Sequence, residues 1–189
     1  MLYYDQSYLN GCFGGWLEGN VVVGPDGTIK TLLRVEDDCS FKEKAAIITF
    51  DTNKNTVSFN PETDFISFPG GSKKFSVVCD SETGTYIALT NGIHSFASNI
   101  YETASDQIRN TVTLIISRDL RTWKEVKVVL ESTDVKRTAF QYISFEIVGG
   151  DIVCVARTAA PDWTFGARSY HDANFLTFHR IENFRQYCI

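Results

Sequence analysis

The sequence predicts an all-β fold, a β-propeller of about three four-stranded blades that do not close into a ring. Three observations support this prediction. Short runs of β-branched and aromatic residues fill the 189 residues, and turns rich in Gly, Pro, Asn and Asp separate them. No helical period extends beyond a turn or two. A strand–turn–strand pattern also recurs three times along the chain.

In chain order, each strand is predicted from its own run of apolar residues, bounded by turn residues as at Pro25-Asp26-Gly27. The third repeat lacks an obvious fourth strand, and Leu2–Leu9 is a candidate donor from the other terminus. The predicted strands are Val21–Val23, Thr31–Val35, Ala45–Phe50, Thr56–Phe59, Phe75–Cys79, Tyr86–Thr90, Thr111–Ser117, Glu125–Leu130, Gln141–Val148, Ile152–Ala156 and Asn174–Arg180.

The three repeats superpose when Gly27, Gly84 and Gly150 are aligned. These glycines are spaced by 57 and 66 residues (84 − 27 and 150 − 84). A propeller blade takes about 40–50 residues, so we expect blades with long loops. The connections at 91–110 and 159–172 are expected on the rim that holds a ligand site. Within a single domain, 1–189, the predicted blades cover approximately residues 12–68, 73–131 and 138–185.

Composition excludes some functions. The net charge of −5 and the absence of a basic block argue against nucleic-acid binding. There is no transmembrane run, and the start of the chain lacks the features of a signal peptide, which leaves the compartment open. Aromatic residues make up 13% of the chain, a bias that fits β-structure and sugar-binding surfaces alike.

The cysteines predict neither a metal nor a redox site. Five are scattered without CxxC spacing, so buried thiols are expected, and their odd number argues against a complete disulfide framework. No cofactor or metal is expected. They are Cys12, Cys39, Cys79, Cys154 and Cys188.

Two hairpins carry a matching polar pair. Glu18 and Arg34 lie 16 residues apart across the first hairpin, and Gln141 and Arg157 lie 16 apart across the third. Charges in apolar strands cost free energy unless they are paired or used. Each pair could be a cross-strand contact that orders the hairpin. Because the pattern recurs, we interpret it as part of a functional site.

Two short motifs carry a resemblance to a known family. Ser117-Arg118-Asp119-Leu120-Arg121-Thr122-Trp123 resembles the Asp-box of sialidase-type propellers, and also the corresponding turn of five-bladed arabinanase/xylosidase-type glycosidases. In that turn Asp119 is expected to accept backbone hydrogen bonds, while Trp123 packs between sheets. Glu18, Asp26-Gly27 and Arg34 resemble the mid-chain hairpin of sialidases.

The resemblance implies specific roles. Glu18 would polarise a nucleophilic tyrosine, for which Tyr142 and Tyr170 are candidates, and Arg34 and Arg157 would clamp a substrate carboxylate. A tyrosine nucleophile avoids the repulsion that a carboxylate meets beside an anionic sugar. The family's first arginine and its acid/base aspartate lie in earlier blades, so the resemblance covers only the C-terminal part of such an enzyme.

Several other residues are weighed as site candidates. His171 beside Asp172 could bind substrate or act as an acid/base pair, and the alternative is a solvated loop. Gln141 is a candidate substrate-binding residue. Trp163 with Phe165 could stack on a sugar or cap the core. Three further residues are interpreted as structural or surface groups, with Asp106 pairing with Arg109 and Glu146 paired elsewhere.

The sequence thus predicts a sialidase-like glycoside hydrolase propeller fragment, whose parent hydrolyses a glycosidic bond of an acidic or other sugar. The alternatives are a non-catalytic carbohydrate-binding or partner-docking segment, and an architectural piece that completes another chain's propeller. The expected partners are a carbohydrate substrate, no nucleic acid and no membrane, with a homodimer or another chain completing the ring.

Overall fold

A computed structural model of the chain describes residues 5–37, 43–94, 103–164 and 166–188, which form three antiparallel sheets. The first sheet is ordered β1-β2-β3, and both β4 and β5 pair with β3. β5 pairs with the first half of β3 and β4 with its second half, so the two form one outer strand interrupted by residues 59–64. The strands are β1 (Phe13–Val23), β2 (Ile29–Asp37), β3 (Lys44–Asp51), β4 (Thr56–Ser58) and β5 (Phe65–Ser67).

The second sheet has four strands in sequence order, β6 to β9, and the third has three, β10 to β12. The strands of the second sheet are β6 (Ser76–Asp80), β7 (Thr85–Thr90), β8 (Thr111–Ser117) and β9 (Lys124–Glu131). Those of the third sheet are β10 (Ala139–Val148), β11 (Asp151–Ala159) and β12 (Phe175–Ile181).

The third sheet ends without a fourth strand. After β12 the chain makes a 3₁₀ turn at Phe184–Tyr187, and β12 pairs with β11 alone among the described strands. Of the candidate donor Leu2–Leu9, residues 2–4 lie outside the described ranges. A helical turn at Tyr8–Gly11 packs against the first sheet instead, with Tyr8 near Phe13.

Apolar side chains fill the space between the sheets. Leu32 and Ile47 of the first sheet pack against Phe75 and Tyr86, and Ile87 and Leu114 of the second pack against the third. The second sheet is therefore covered on both faces. Three sheets stacked face to face, each running from an inner to an outer strand, are three blades of a β-propeller, and the predicted fold class is confirmed.

Hydrogen bonds between blades fix the direction of the inner strands. Asn20 of β1 donates to the Phe75 carbonyl (3.1 Å) and accepts from the Val77 amide (3.3 Å). Ser76 of β6 donates to the carbonyl of Ile143 in β10 (2.7 Å). Tyr86, paired with Cys79 at the end of β6, donates from its hydroxyl to the carbonyl of Val23. The inner strands β1, β6 and β10 therefore run in the same direction, and all three begin at the same end of the blades.

The turn after β8 has the local structure predicted for it. Asp119 Oδ1 accepts from the amides of Arg121 (2.8 Å) and Thr122 (2.7 Å). Leu120, with φ of 65°, is fully buried. Trp123 donates from its indole to the Leu120 carbonyl (2.9 Å), and its ring packs between blades against Phe68.

Two cysteines differ from the expectation of buried thiols, because Cys12 is in a disulfide and the Cys79 side chain is exposed. Cys12 is disulfide-bonded, whereas Cys79, Cys154 and Cys188 are free. Cys154 and Cys188 are the buried thiols that the sequence predicts. The scattered spacing gave no sign of a pair, because cysteines are brought together by strand order rather than by distance along the chain. Within the described ranges, the helices are too short to cross a bilayer.

A buried ion pair joins the first two blades. The carboxylate of Glu43, just before β3, contacts the ammonium of Lys73, just before β6, and both side chains are almost completely buried. Glu43 also accepts from the Gly70 amide (2.7 Å) and from the Ser72 hydroxyl. Burial lowers the pKa of Lys73, and the Glu43 carboxylate opposes that effect. Each buried charge of the pair is therefore stabilised by the opposite charge of the other side chain, in place of water.

We expect Glu43→Ala to lower the free energy of unfolding by about 3–5 kcal/mol, because it leaves the Lys73 ammonium buried without a counter-charge. Urea denaturation measures this. The matched control is Glu18→Gln, which breaks a half-exposed pair and should cost less than about 1 kcal/mol. A double change, Glu43→Leu with Lys73→Met, should recover most of the loss, and equal effects of Glu43→Ala and Glu18→Gln would contradict the assignment.

A second ion pair ties the last residues to the middle blade. Arg185 donates to both carboxylate oxygens of Asp80, at 2.9 Å each, and to the Gly149 carbonyl. The Arg185 guanidinium lowers the pKa of the Asp80 carboxyl to about 2, because its effect is larger than the increase that burial causes. Because the folded pKa lies below the ordinary value, this stabilisation is complete above about pH 4 and is lost as the pH falls from 4 to 2.

We expect Asp80→Asn to flatten the acid branch of the stability curve. The wild-type chain should lose on the order of 1 kcal/mol more than the variant between pH 4 and pH 2, after allowance for solvent screening at Arg185. Urea midpoints measured at intervals across that window test this. Parallel curves for the two proteins would show that Asp80 does not contribute to acid sensitivity.

Candidate functional site

The polar pairs of the first and third hairpins lie at the same end of the blades. Glu18 precedes Asn20 by two residues on β1, and Tyr142 precedes Ile143 on β10; Asn20 and Ile143 both contact the start of β6. Because the inner strands begin at one end and their partners run antiparallel to them, these side chains share that end with the last residues of β2, β7 and β11. Irregular inner strands and long loops at one end form the candidate site.

Glu18 and Arg34 form the ion pair that their spacing predicts. Glu18 lies in a bulge of β1, where the register shifts between Trp16 and Gly19, and its carboxylate is 3.1 Å from Arg34 Nη1. Arg34 Nε also donates to the Ser72 carbonyl in the second blade (2.7 Å). The β1 bulge thus turns a strand carboxylate towards a guanidinium that is itself fixed by the neighbouring blade.

The environment keeps Glu18 ionised. Partial burial raises the pKa of its carboxyl, but a hydrogen bond to its own backbone, the guanidinium of Arg34 and the ammonium of Lys74 together bring the pKa below the ordinary value. The carboxylate remains about half exposed. An ionised and accessible carboxylate can act as a base or as an electrostatic partner for a developing positive charge.

A second cluster forms around Tyr142 on β10. The Arg157 guanidinium lies over the Tyr142 ring, 5.1 Å from its centroid, and the Tyr142 hydroxyl is 3.4 Å from His171 Nε2. Arg157 also donates to the His171 carbonyl (3.2 Å). Tyr142 has a φ of 51°, in the left-handed region, where the register shifts after Gln141. The bulge leaves Tyr142 partly exposed, with a guanidinium over its ring and an imidazole near its hydroxyl.

Gln141 is held by its neighbours. It is fully buried, its carbonyl oxygen accepts from Arg109 Nη1 (2.9 Å), and its amide donates to the Tyr170 carbonyl. Gln141 and Arg157 are register partners as the spacing predicts, yet their side chains contact different groups. In this arrangement Gln141 fixes the loop that carries His171.

Arg109 is the residue that sequence reasoning misjudged. The predicted surface pair with Asp106 is wrong, because Arg109 is buried and donates from Nε to the Asp106 carbonyl (2.9 Å) rather than to its carboxylate. Its other contact, Gln141, is 32 residues away in the next blade. The polar residues of this loop predict exposure to solvent, and their spacing gives no indication that a neighbouring blade buries Arg109.

The remaining candidates contribute less. Burial raises the pKa of Tyr170, with partial opposition from Arg109, which is the opposite of what a nucleophile needs. Asp172 is exposed and accepts from the Ser169 hydroxyl (3.3 Å). Trp163 is 95% exposed, so it does not cap the core, and Phe165 lies outside the described residues.

The structure therefore assembles two clusters, Glu18 with Arg34 and Tyr142 with Arg157 and His171. The described contacts do not join these clusters directly. Glu146, interpreted from the sequence as a paired structural carboxylate, is exposed and forms none of the ion pairs seen among the described residues. Among the residues that the structure describes, no group of three or more His, Cys, Asp or Glu side chains is arranged to hold a metal ion.

Solved structures similar to this chain are glycoside hydrolases. An α-L-arabinanase of Penicillium chrysogenum complexed with arabinobiose aligns with 95% of this chain and 48% of its own length, at 12% identity and a TM-score of 0.59. A GH93 α-L-arabinofuranosidase of Fusarium graminearum, also with arabinobiose, aligns with 94% of this chain and 50% of its own, at 10% identity and a TM-score of 0.51.

The chain shares its fold with these glycoside hydrolases. Neither a family model nor a curated protein matches the chain. The chain spans about half the length of the solved structures it matches. At these identities the likeness shows the fold alone, so the activity has to be argued from the two clusters.

The conformation of Tyr142 yields a prediction. A left-handed φ costs a residue with a Cβ about 1 kcal/mol or more relative to glycine. We expect Tyr142→Gly to be more stable than Tyr142→Ala by about 1 kcal/mol in urea denaturation. Val155, exposed on the paired strand β11, is the matched control. There the order should reverse, because glycine weakens a regular strand, and the same order at both positions would contradict the assigned backbone strain.

Proposed function

We propose that these three blades belong to a glycoside hydrolase and carry part of its active site, at the end of the blades where Glu18 and Tyr142 lie. The observation that carries the proposal is the ionised, half-exposed Glu18 beside Arg34, at the same end as the Tyr142 cluster. Similarity of fold to an arabinanase and an arabinofuranosidase supports glycosidic-bond hydrolysis as the reaction.

The proposed roles follow from the contacts. Glu18 is the catalytic or activating carboxylate. Tyr142 is a better candidate nucleophile than Tyr170, because Tyr142 is partly exposed with a guanidinium over its ring, whereas burial raises the pKa of Tyr170. His171, 3.4 Å from the Tyr142 hydroxyl, is positioned to exchange a proton with it. Asp172 and Trp163 are proposed to line the approach from the same loop.

The charge of the site bears on the substrate class. The charge of Arg34 is matched by Glu18, which leaves Arg157 as the clamp residue without a carboxylate partner among the described ion pairs. A clamp for an acidic sugar usually needs converging guanidinium groups. We therefore propose a neutral, arabinose-containing glycan as the first substrate to test, with an acidic sugar as the alternative that Arg157 favours.

Hydrolysis assays on aryl α-L-arabinofuranoside, arabino-oligosaccharides and an aryl sialoside test the proposal, with glycan binding measured in parallel by NMR. We expect Glu18→Gln to lower kcat/KM at least 100-fold with unchanged folding, since it removes the ionised carboxylate. Glu146→Gln is the matched control, an exposed glutamate on the equivalent inner strand β10, and should leave activity unchanged.

The outcomes distinguish the candidate functions. Hydrolysis that survives Glu18→Gln would remove Glu18 from the mechanism. Glycan binding without hydrolysis would favour the alternative, a carbohydrate-binding segment, and binding that is lost on Arg157→Met would place the ligand at the Tyr142 cluster. Neither hydrolysis nor binding for any glycan tested would count against the proposed function.

A further inference from the structure

The loop between β11 and β12 carries an indole that lies almost entirely in water. Trp163 is 95% exposed, whereas Trp16 and Trp123 pack against other aromatic rings. At this exposure the Trp163 ring contributes little to the packing of the third blade. Its apolar face is therefore available to a ligand, at the same end of the blades as Glu18 and Tyr142.

The backbone that carries Trp163 is fixed on both sides of it. Asp162 Oδ1 accepts from the Thr164 amide (2.9 Å) and hydroxyl (2.7 Å) and from the Gly166 amide (2.7 Å). Its Oδ2 accepts from Asn174 Nδ2 (3.0 Å). These bonds hold the pKa of the Asp162 carboxyl well below its ordinary value, so the carboxylate that orders the loop stays ionised at neutral pH. Because the indole is presented by an ordered backbone, covering its ring costs little conformational freedom.

The two halves of this loop are attached to different groups. Near Trp163, the Asn174 side chain bonds both the amide and the carbonyl of Ala160, at 3.0 Å each. The other half is attached by the bond from Arg157 to the His171 carbonyl, within the Tyr142 cluster. The two sets of bonds share no group. The indole and the Tyr142 cluster are therefore separate positions on the loops of one blade.

A small cavity lies beside the indole. Its volume is about 220 Å³, and residues of the loop after β11 line it on one side, with Arg137 from the segment before β10 on the other. Asp162 and Thr164, the two neighbours of Trp163, both line this cavity. The Arg137 side chain is 75% exposed and pairs with Asp134 through Nε (2.7 Å), which uses one of the five N–H donors of a guanidinium. An aromatic face beside hydrogen-bond donors suits a sugar, which has an apolar ring face and a rim of hydroxyls.

We propose that Trp163 forms a second glycan subsite, which stacks on a sugar unit other than the one held at the Tyr142 cluster. The substrate is then a glycan of several units rather than a single sugar on a small leaving group. Stacking fits a neutral sugar, because the C–H groups on a sugar ring are slightly positive and the face of an indole is slightly negative. This inference rests on the proposed function, since it requires a glycan at this end of the blades.

Trp163→Ala tests the subsite through its dependence on substrate length. For an arabino-oligosaccharide we expect KM to rise about tenfold with kcat unchanged, because the ring binds a unit away from the reacting bond. For an aryl α-L-arabinofuranoside, which has one sugar unit, KM should not change. Trp163→Phe keeps a smaller ring and should restore most of the loss. Leu176→Ala, at a leucine 76% exposed on β12, is the matched control and should leave both KM values unchanged. Urea denaturation confirms that each variant is folded.

A binding measurement separates failure of the subsite from failure of the proposed function. Iodide quenches exposed indoles, so Trp163 supplies the quenchable fluorescence, and Trp163→Phe identifies its share. Protection from iodide by the oligosaccharide, without hydrolysis, would support the subsite and count against the hydrolase. Hydrolysis with wild-type constants in Trp163→Ala would overturn the subsite and leave the hydrolase standing.

Two further outcomes overturn the subsite. An equal rise in KM for the aryl glycoside and the oligosaccharide would place the indole against the reacting sugar, so there would be no second position. Neither protection nor hydrolysis with any glycan tested would overturn the subsite together with the proposed function.

Discussion

The buried pair of Glu43 and Lys73 is the constraint that holds together the end of the blades at which the inner strands begin. A carboxylate and an ammonium are stable there only while each has the other and its hydrogen bonds. Glu43 also holds Ser72, whose carbonyl accepts from Arg34, and Lys73 donates to the Ser105 carbonyl (3.1 Å). The first blade and two segments of the second are thus fixed by one internal charge pair.

The same network reaches the third blade through Arg109. Its guanidinium bonds the Asp106 carbonyl and the side chain of Gln141, which in turn bonds the Tyr170 carbonyl. The loop that carries His171 is therefore positioned from the middle blade. Side chains proposed to act on substrate lie on bulges next to this network, and preorganisation of that kind lowers the cost of holding reacting groups in place.

The sequence predicted what is local and repeated. Turn residues and alternating apolar residues predicted most of the strands but missed β5 and the first part of β1, where glycines and charges interrupt the pattern. A constant hairpin spacing paired Glu18 with Arg34, because register within a hairpin follows from its turn. Contacts between blades were not predictable. Glu43 and Lys73 are 30 residues apart in polar segments, and the burial of Arg109 depends on a blade that follows it. No periodicity encodes such contacts, since they depend on how finished sheets stack.

Asn20 shows how loosely the inner strands are joined. One carboxamide takes the place of a strand ladder, with its nitrogen on the Phe75 carbonyl and its oxygen on the Val77 amide. Among the described strands, neighbouring blades therefore share no strand ladder and meet mainly through side chains, with single backbone bonds such as that from the Phe140 amide to the Arg109 carbonyl (2.8 Å). Whole repeats can be gained or lost by duplication or deletion of a gene segment without any sheet being cut, so the number of wedges is free to change over evolutionary time.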